Sequence, residues 1–351
     1  MLWSQLITLL KSAFDNCSIE YAGQILRDGG LVAFPTETVY GLGANALDPD
    51  AVKKIYDAKS RPSDNPLIVH VDDIEWLDKL AVNVSDTTYK LANAFWPGPL
   101  TIIMEKSTLV PLETSGGLHT VGIRIPKNDA ARKLIRSARV PISAPSANTS
   151  GNPSPTKAAH VYQDLNGKIP LILDGGSCQM GIESTIIDVT AQIPCILRPG
   201  SVTKEMLQAE IGHVEIDKNI LEDTYLQSAP KAPGMKYKHY APKAKVTVFV
   251  GDELCVSNTI NKVASTKDDV KIGILATDQT KKFYSNENFF VLSLGDRNNL
   301  NSVASKLFDA LRQFDDKEIE QVYAEGFNET ELGLSIMNRL KKSAGYDVIK
   351  C

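Results

Sequence analysis

The chain has 351 residues, of which 43% are hydrophobic and 23% are charged, a composition typical of a globular protein rather than a disordered or fibrous one. Its 38 Lys and Arg residues against 42 Asp and Glu residues give a formal net charge of -4, which argues against a protein that coats nucleic acid or an anionic membrane through bulk positive charge. The length favours two domains, and any anion site must be a local basic pocket.

The cysteines and apolar segments indicate where the chain works. Five cysteines at wide spacings predict neither a disulfide framework nor a Cys-x-x-Cys zinc site, so a reducing, cytoplasmic compartment is favoured. No apolar run is long enough to span a bilayer, so no membrane association is expected. Apolar residues from Leu2 to Phe14 recur mostly at helical spacing without a basic leader, which predicts an amphipathic N-terminal helix rather than a secretory signal.

Residues 1–228 are predicted to form a first domain of mixed α/β structure. Short runs rich in β-branched residues alternate with helical stretches, and turns rich in Pro and Gly separate them. The predicted strands cover 31–34, 67–71, 100–104, 121–125, 171–173 and 184–189, and helices are predicted at 51–58 and 130–138.

Residues 229–245 differ in composition from their surroundings, with five lysines and no acidic residue, and are predicted to be an interdomain linker. The remainder, 246–351, is predicted to be a smaller α/β domain of Rossmann-like pattern. Its predicted strands cover 246–250, 271–277, 289–294 and 321–325, and a helix is predicted at 300–314.

Two glycine-rich segments resemble nucleotide-binding loops only loosely. Residues 41–46 match the dinucleotide pattern G-x-G-x-x-A, but six residues separate the preceding strand from the first glycine, where the fingerprint needs a strand-to-helix turn. Residues 117–124 have two glycines at P-loop spacing followed by Ile-Arg instead of Lys-Ser/Thr. Neither segment is predicted to bind a nucleotide in those ways.

The segment 59–66 is more informative. Lys59 and Arg61 follow a predicted helix, and the prolines at 62 and 66 hold the next residues extended, as suits a rigid loop aimed at an oxyanion. Surface charge that complements a helix C-terminus would look the same, so composition alone leaves both interpretations open.

A second polar cluster lies at 143–156, after a strand that looks buried. Ser146, Asn148 and Ser154 belong to a set of small side chains that allow backbone N–H groups to approach a phosphate closely. A Ser/Pro-rich turn without a ligand is the alternative. His70 and Arg124 interrupt apolar runs, and a core histidine or a structural ion pair would give the same pattern.

Taken together, these residues resemble the YrdC-like family. Lys59-x-Arg61 with Ser146-x-Asn148 matches its K-x-R…S-x-N signature, and residues 34–42, Phe-Pro-Thr-Glu-Thr-Val-Tyr-Gly-Leu, match its N-terminal motif. Matching blocks cover most of residues 20–205 in order. The linker and the α/β domain after it resemble the long, two-domain form of the family.

The resemblance implies a YrdC-like twisted mixed sheet with helices, followed by a smaller Rossmann-like domain. It also implies an ATP-dependent nucleotidyltransferase that joins L-threonine and bicarbonate into threonylcarbamoyl-adenylate, releasing pyrophosphate. Mg2+ would accompany the ATP. The product would pass to a tRNA threonylcarbamoyl transferase, and weak contact with tRNA itself is possible in such a system.

The resemblance also assigns expected roles to individual residues. Lys59 and Arg61 would stabilise charge on the phosphates, and no general base is assigned. The expected threonine-binding residues are Thr36, His70, Arg124, Ala144 and Ser184. The expected ATP-binding residues are Lys59, Arg61, Asn65, Thr120, Ser146, Asn148, Ser154, Arg198 and Ala232, the last standing where relatives often have serine.

The linker is expected to act as a lid over the labile product, with Lys236, Tyr237 and Tyr240 as its lid residues. Two rival functions remain open at this stage. An RNA-binding YrdC-like module is disfavoured by the net charge and the lack of RNP-type aromatic motifs. The hydrogenase-maturation carbamoyltransferase carries a related domain, but also acylphosphatase and zinc-finger regions that this chain lacks.

Overall fold

The computed structural model describes residues 7–222, 230–233, 235, 239–267 and 269–351. The chain forms two compact units. The first contains Met1–Ser150, Ser154–Gln179 and Glu183–Tyr237, and the second contains Gly151–Pro153, Met180–Ile182 and Lys238–Cys351.

Within its described residues, the first unit contains an eleven-stranded mixed sheet in the order β1-β8-β2-β3-β7-β4-β6-β5-β9-β10-β11. The strands are β1 (Leu9–Ser12), β2 (Val32–Phe34), β3 (Gly41–Asn45), β4 (Ile68–His70), β5 (Leu100–Glu105), β6 (Thr120–Arg124), β7 (Ile142–Ser143), β8 (Leu171–Asp174), β9 (Thr185–Asp188), β10 (Cys195–Arg198) and β11 (Glu215–Ile216). The helices are α1 (Asn16–Arg27), α2 (Pro49–Lys59), α3 (Leu77–Leu80), α4 (Asp86–Phe95), α5 (Leu112–Ser115), α6 (Asp129–Ala138), α7 (Ala158–Leu165), α8 (Lys204–Ile211) and α9 (Lys218–Leu221).

The N-terminal prediction of a helix is wrong where the structure can be compared with it. Leu9–Ser12 forms β1, which pairs in parallel with β8 at the sheet edge, and residues 1–6 lie outside the described part of the chain. Leu9 and Leu10 lie opposite Leu171 and Ile172 in the ladder, and they are 40% and 55% exposed. The apolar spacing is equally compatible with an edge strand because a short segment does not separate the two periods.

The glycine-rich segment at 41–46 is also not a loop. Gly41–Asn45 forms β3, antiparallel to β2, and a side chain at Gly43 would lie 2.9 Å from the Phe34 ring. The glycines there allow close packing inside the sheet, which agrees with the rejection of a dinucleotide fingerprint.

Helix α2 sets the position of the first predicted cation. Asp48 caps its N-terminus by accepting hydrogen bonds from the backbone N–H of Asp50 at 2.9 Å and of Ala51 at 3.2 Å, and Pro49 occupies the first turn. The helix ends at Lys59 because Ser60 adopts a left-handed conformation with φ 51°. The chain therefore turns sharply between Lys59 and Arg61.

The two faces of the sheet around β4, β5, β6 and β9 are covered differently. On one face Val69, Ile102 and Ile123 join the core formed with α3, α4 and α8. On the other face Ile68 and Ile103 belong to a smaller apolar cluster. This second face, called the open sheet face below, is where the predicted site residues gather.

The second unit has a five-stranded, fully parallel sheet in the order β14-β13-β15-β12-β16, counted over its described residues. The alternation of strands and helices agrees with the predicted α/β class, but its fourth strand lies between the first two, unlike the 3-2-1-4 order of a Rossmann fold. The elements are β12 (Lys245–Val250), α10 (Glu253–Ala264), β13 (Ile272–Ala276), β14 (Phe289–Ser293), α11 (Leu300–Asp316), β15 (Gln321–Glu325), α12 (Glu331–Ser343) and β16 (Val348–Lys350).

In the part of the chain that the structure describes, no helix combines the length and apolar character needed to cross a bilayer.

Candidate active site

Strands β4 and β6 bring two predicted threonine-binding residues side by side. They pair in parallel, with His70 opposite Arg124 in the register, so both side chains project from the same face of the sheet. His70 is 4% exposed and Arg124 is 3% exposed. Both lie at the carboxyl ends of their strands, where a pocket can form beyond the sheet.

Arg124 is held by contacts from three directions. Its Nε donates to the carbonyl of Gly98 at 3.1 Å, its Nη1 donates to Thr38 Oγ1 at 3.1 Å, and its Nη2 pairs with Glu37 Oε1 at 2.6 Å. Burial opposes ionisation of Glu37, but the charge and hydrogen bond of Arg124 outweigh it, so the pKa of Glu37 lies below its usual 4.5. Arg124 is therefore a fixed, charged guanidinium inside the protein.

Sequence reasoning assigned no role to Glu37 or Thr38, although both lie in the recognised motif at 34–42. The available signal was an acidic residue in a block of otherwise apolar and small residues, since such a charge is rarely buried without a partner.

His70 is a neutral histidine. Complete burial, reinforced by the charge of Arg124, lowers the pKa of His70 from its usual 6.5 to about 3. Its ring meets Phe34 edge to face at a centroid distance of 6.3 Å. No residue that the structure describes forms a hydrogen bond with its Nδ1.

Thr36 uses its hydroxyl group within its own turn. Its Oγ1 donates to the carbonyl of Val39 at 2.6 Å and lies 3.2 Å from the backbone N–H groups of Thr38 and Val39. This turn connects β2 to β3 and fixes the neighbouring Glu37. Thr36 thus shapes the wall near Arg124.

The structure brings the two halves of the K-x-R…S-x-N signature together. Lys59, 1% exposed, donates from Nζ to the backbone carbonyls of Ser146 and Asn148. The backbone N–H of Ser150 donates to the carbonyl of Lys59 at 2.9 Å. Burial excludes the interpretation of Lys59 as surface charge at a helix end.

The Arg61 side chain turns toward the end of the loop at 59–66. Its Nη2 lies 3.3 Å from the carbonyl of Asn65 and 3.2 Å from that of Pro66. Asn65 is 1% exposed, and its carbonyl also lies 3.3 Å from the hydroxyl of Tyr56. The loop at 59–66 is therefore closed on itself and ordered by its own side chains.

Ser184 and Arg198 form a second polar group on the sheet. Arg198 donates from Nε to the Ser184 carbonyl at 3.0 Å and from Nη2 to Ser184 Oγ at 3.1 Å. Ser184 Oγ also lies 2.9 Å from Thr101 Oγ1. Close by in sequence, Glu183 accepts a hydrogen bond from Ser154 Oγ at 2.5 Å, a partnership that sequence reasoning missed.

Two further predicted residues, Ala144 for threonine and Thr120 for the nucleotide, border the open sheet face. Ala144 donates its backbone N–H to the carbonyl of Ile68 at 2.9 Å. Thr120 begins β6 and lines a small pocket with Pro66, Lys231 and Pro233. The first part of the linker therefore lies against this pocket.

The described part of the linker packs in two places. Ala232, fully buried, and Met235 join Ile68, Ile103 and Ile186 in the apolar cluster of the open sheet face.

Tyr240 belongs to the second unit. There it stacks on Phe308 at a centroid distance of 5.1 Å, and the guanidinium of Arg339 lies 6.0 Å from its ring. Lys236 and Tyr237, the other two predicted lid residues, lie outside the described residues.

A cleft of about 520 Å3 lies beside the Glu37 turn in the first unit. Thr36 and Glu37 form one wall, and Lys127 and Lys133 contribute positive charge. Cys178 also lines it, and burial raises the pKa of its thiol to about 12. The volume suits a small-molecule ligand.

Two family models match adjoining parts of the chain. A model of the Sua5, YciO and YrdC proteins, described as "Telomere recombination", matches residues 24–200. A model described as "Threonylcarbamoyl-AMP synthase, C-terminal domain" matches residues 202–345. Curated relatives named threonylcarbamoyl-AMP synthase include those of Pyrococcus abyssi, 44% identical over 98% of this chain and 99% of its own length, and of Bacillus subtilis, 46% identical over 95% and 94%. The chain belongs to the threonylcarbamoyl-AMP synthase family.

Solved structures of this family agree with the fold. The Pyrococcus abyssi Sua5 protein in complex with L-threonine has 44% identity and a TM-score of 0.90, covering 98% of this chain and 99% of that one. A variant of the same protein with an adjacent histidine and tyrosine replaced by alanine has 42% identity and a TM-score of 0.91. The predicted family, α/β fold class and enzyme class are confirmed.

Proposed function

We propose that the first unit condenses L-threonine, bicarbonate and ATP into threonylcarbamoyl-adenylate, pyrophosphate and water. The observation that supports this most directly is the arrangement of two buried cations: Lys59, at the end of α2, lies beside Ser146 and Asn148, and Arg124, at the end of β6, lies beside His70. One group of contacts suits phosphates and the other suits an amino-acid carboxylate. Family membership and a relative that binds L-threonine support the same assignment.

The phosphate end would stabilise charge as pyrophosphate leaves. In the proposed reaction a carbamate oxygen attacks the α-phosphorus of ATP, and the bond from that phosphorus to the bridging oxygen breaks. Lys59, Arg61 and Arg198 would balance the growing negative charge, with Ser146, Asn148 and Ser154 as hydrogen-bond donors. Asn65, Thr120 and Ala232 would complete the nucleotide contacts.

The threonine end would orient the amino acid. Arg124 would bind the carboxylate through N–H groups of its planar fork, and Thr36, His70, Ala144 and Ser184 would line the pocket. His70 is uncharged and so would add no competing positive charge. The amine would give up a proton to solvent and attack the carbon of bicarbonate, or of the CO2 formed from bicarbonate, and the displaced oxygen would leave as water. Positioning of well-oriented reactants supplies roughly 7–11 kcal/mol, so we assign no general base.

Magnesium would enter with the nucleotide. Among the described residues, no group of three His, Cys, Asp or Glu side chains is placed to hold a metal ion. We propose that the ion is bound mainly through phosphate oxygens, the usual mode for Mg2+ with ATP. When bound, Mg2+ would neutralise phosphate charge alongside Lys59.

The linker would protect the labile product from water. Ala232 and Met235 already lie on the open sheet face, and Lys231 and Pro233 border the pocket at Thr120. We therefore propose that residues 229–245 act as a lid over the nucleotide site. In this proposal they connect a catalytic domain at 1–228 to a second domain at 246–351. We further propose that the enzyme works in the cytoplasm and passes its product to a tRNA threonylcarbamoyl transferase, with at most weak contact with tRNA.

Mass spectrometry of the products would test the reaction. Incubation of the full chain with ATP, Mg2+, bicarbonate and L-threonine is expected to yield threonylcarbamoyl-adenylate and pyrophosphate. L-serine should be a poorer substrate because it lacks the methyl group. Its kcat/KM should be lower by a factor of about 10–200, which corresponds to about 1–3 kcal/mol. Pyrophosphate release without bicarbonate, or equal use of serine, would contradict the proposal. RNA binding without any such turnover would favour the RNA-binding alternative.

A further inference from the structure

The second unit has a crevice where its sheet topology predicts one. Strands β12 and β15 are neighbours, yet the chain leaves β12 through α10 toward β13 and leaves β15 through α12 toward β16. Because β13 and β16 lie on opposite sides of this pair, right-handed crossovers place the two helices on opposite faces. The loops after β12 and β15 therefore separate, which is the usual place for a ligand in an open α/β sheet.

A cleft of about 260 Å3 occupies this position. Glu253 follows β12, Phe327 and Asn328 follow β15, and Arg297 and Leu300 follow β14, and all of them line the cleft. Pockets for drug-sized ligands usually measure roughly 300–1,000 Å3, so this cleft suits a smaller molecule.

Arg297 is held in a fixed orientation at the cleft. Its Nη2 pairs with Glu325 at 2.8 Å, its Nη1 donates to the carbonyl of Gly326 at 3.0 Å, and its guanidinium lies 4.8 Å from the centre of the Phe327 ring. Glu325 is 1% exposed and also accepts hydrogen bonds from Tyr284 at 2.7 Å and from Thr280 at 2.8 Å. This buried network keeps the arginine in place with or without a ligand.

One donor of Arg297 remains unsatisfied. Its Nε is buried and has no hydrogen-bond acceptor in the described part of the chain. Glu253 Oε1 lies 3.5 Å from it as an ion pair, and the Glu253 side chain is 45% exposed. A carboxylate from a ligand could replace this exposed side chain beside Nε, since an exposed ion pair contributes little.

The charges of the cleft select the class of ligand. Glu325 already balances Arg297, so Glu253 and the neighbouring Asp252 leave the rim negative, which disfavours a polyanion such as a triphosphate. A molecule with one carboxylate and one ammonium group would pair with both Arg297 and Glu253, while Leu300 and Phe327 offer an apolar wall. We infer that this cleft binds a free α-amino acid with an apolar side chain, separately from the chemistry of the first unit.

Isothermal titration calorimetry of the full chain with L-leucine, L-methionine and L-phenylalanine would test this inference, with saturating L-threonine present to fill the proposed site in the first unit. At least one of the three is expected to bind with 1:1 stoichiometry and a Kd of about 1 mM or below. Its amide, which lacks the carboxylate, and its N-acetyl derivative, which lacks the ammonium group, should each bind about tenfold or more weakly. Absence of binding by all three amino acids, or binding of either derivative as tight as that of its parent amino acid, would overturn the inference.

Variants would locate the site. Glu253→Gln should weaken binding of that amino acid about tenfold and leave L-threonine binding unchanged. Glu318→Gln is the matched control, with no expected effect. It removes a carboxylate that is 84% exposed and precedes β15, at the amino end of that strand and away from the cleft. Because Glu253 is partly exposed, its variant should keep the unfolding temperature of the native chain. Unchanged binding in Glu253→Gln, or equal losses in both variants, would place the ligand elsewhere.

Discussion

Each unit contains an arginine–glutamate pair with a buried carboxylate near the carboxyl end of a parallel strand, and the two pairs are completed differently. Arg124 meets Glu37 at 2.6 Å, and Arg297 meets Glu325 at 2.8 Å. Both oxygens of Glu325 accept hydrogen bonds, whereas Glu37 Oε2 is buried and no described residue donates to it.

The difference lies in how completely each carboxylate is hydrogen-bonded by the protein. An unmet buried acceptor costs about 1–3 kcal/mol, so a structure optimised only for stability would fill it, as the network around Glu325 does. Glu37 lines the cleft of the first unit, and Glu325 is not among the residues that line the cleft of the second. Glu37 therefore borders its cleft directly, whereas Glu325 contacts Arg297, which borders the other cleft.

The largest expected effect is on stability. Glu325→Ala should lower the free energy of unfolding of the second unit by about 3–5 kcal/mol because it removes the buried carboxylate that Arg297, Thr280 and Tyr284 share. Hydrogen exchange followed by mass spectrometry should show the loss in β13 and β15, with the sheet of the first unit unchanged. Native protection in both strands would contradict the structural role of this pair.

Substitution of the arginine in the first pair should affect substrate use instead. Arg124→Lys should raise the KM for L-threonine about 100-fold and change the KM for ATP little, since a point charge cannot replace the planar fork. Arg297→Lys is the matched control and should leave the KM for L-threonine unchanged. A collapse of ATP affinity in Arg124→Lys would show that Arg124 belongs to the nucleotide subsite.

Acid should lower the free energy of unfolding of the first unit through His70 and Glu37. Because the pKa of His70 is about 3 in the folded chain and 6.5 ordinarily, the unfolded chain binds a proton that the folded chain excludes as the pH falls from 6.5 toward 3. The pKa of Glu37 is lowered, so its stabilisation is present above its ordinary pKa of 4.5 and is lost as the pH falls through the folded value.

Denaturant unfolding from pH 7 to pH 4.5 would measure the histidine contribution. His70→Gln should flatten the decline in the free energy of unfolding by up to about 1.4 kcal/mol per pH unit. His119→Gln, a substitution at an exposed histidine, is the matched control. Equal slopes for native chain and His70→Gln would refute the assignment of a neutral, buried His70.

The smallest expected effect concerns the linker. Ala232→Ser places a hydroxyl group in the apolar cluster with Ile68 and Met235. It should therefore lower the free energy of unfolding by only about 1–2 kcal/mol. If the linker covers the nucleotide, the same hydroxyl should strengthen ATP binding by a few-fold through one added hydrogen bond. ATP titrations of both chains would measure this, and weaker ATP binding in the variant would count against the lid.

Local patterns were sufficient for much of the fold. The helix at 51–58 and the strands at 121–125 and 321–325 are strongly patterned, and all three exist in the structure. The edge strand at Leu9–Ser12 was misread because its pairing with Leu171–Asp174 depends on residues more than 150 positions away. The strand order of the second unit also depends on tertiary packing that no local pattern encodes.

The candidate site shows the same limit. Motif spacing singled out Lys59 and Arg124, but Glu37 and Glu183 emerged only with the structure because their importance depends on which partner they meet. The family resemblance predicts Tyr240 as a lid residue, and this stays a prediction, whereas its stacking on Phe308 could not be predicted from a short linker segment. The assigned binding roles remain predictions for experiment.

The burial of Cys178 has a consequence for redox chemistry. Thiolates, not thiols, react with oxidants and alkylating reagents, and a pKa of about 12 leaves this side chain almost wholly protonated. Cys17, Cys255 and Cys351 are exposed, so a thiol-reactive probe would modify those positions first. The cleft beside Glu37 should thus keep its reduced cysteine through oxidative conditions that modify the surface of the same molecule.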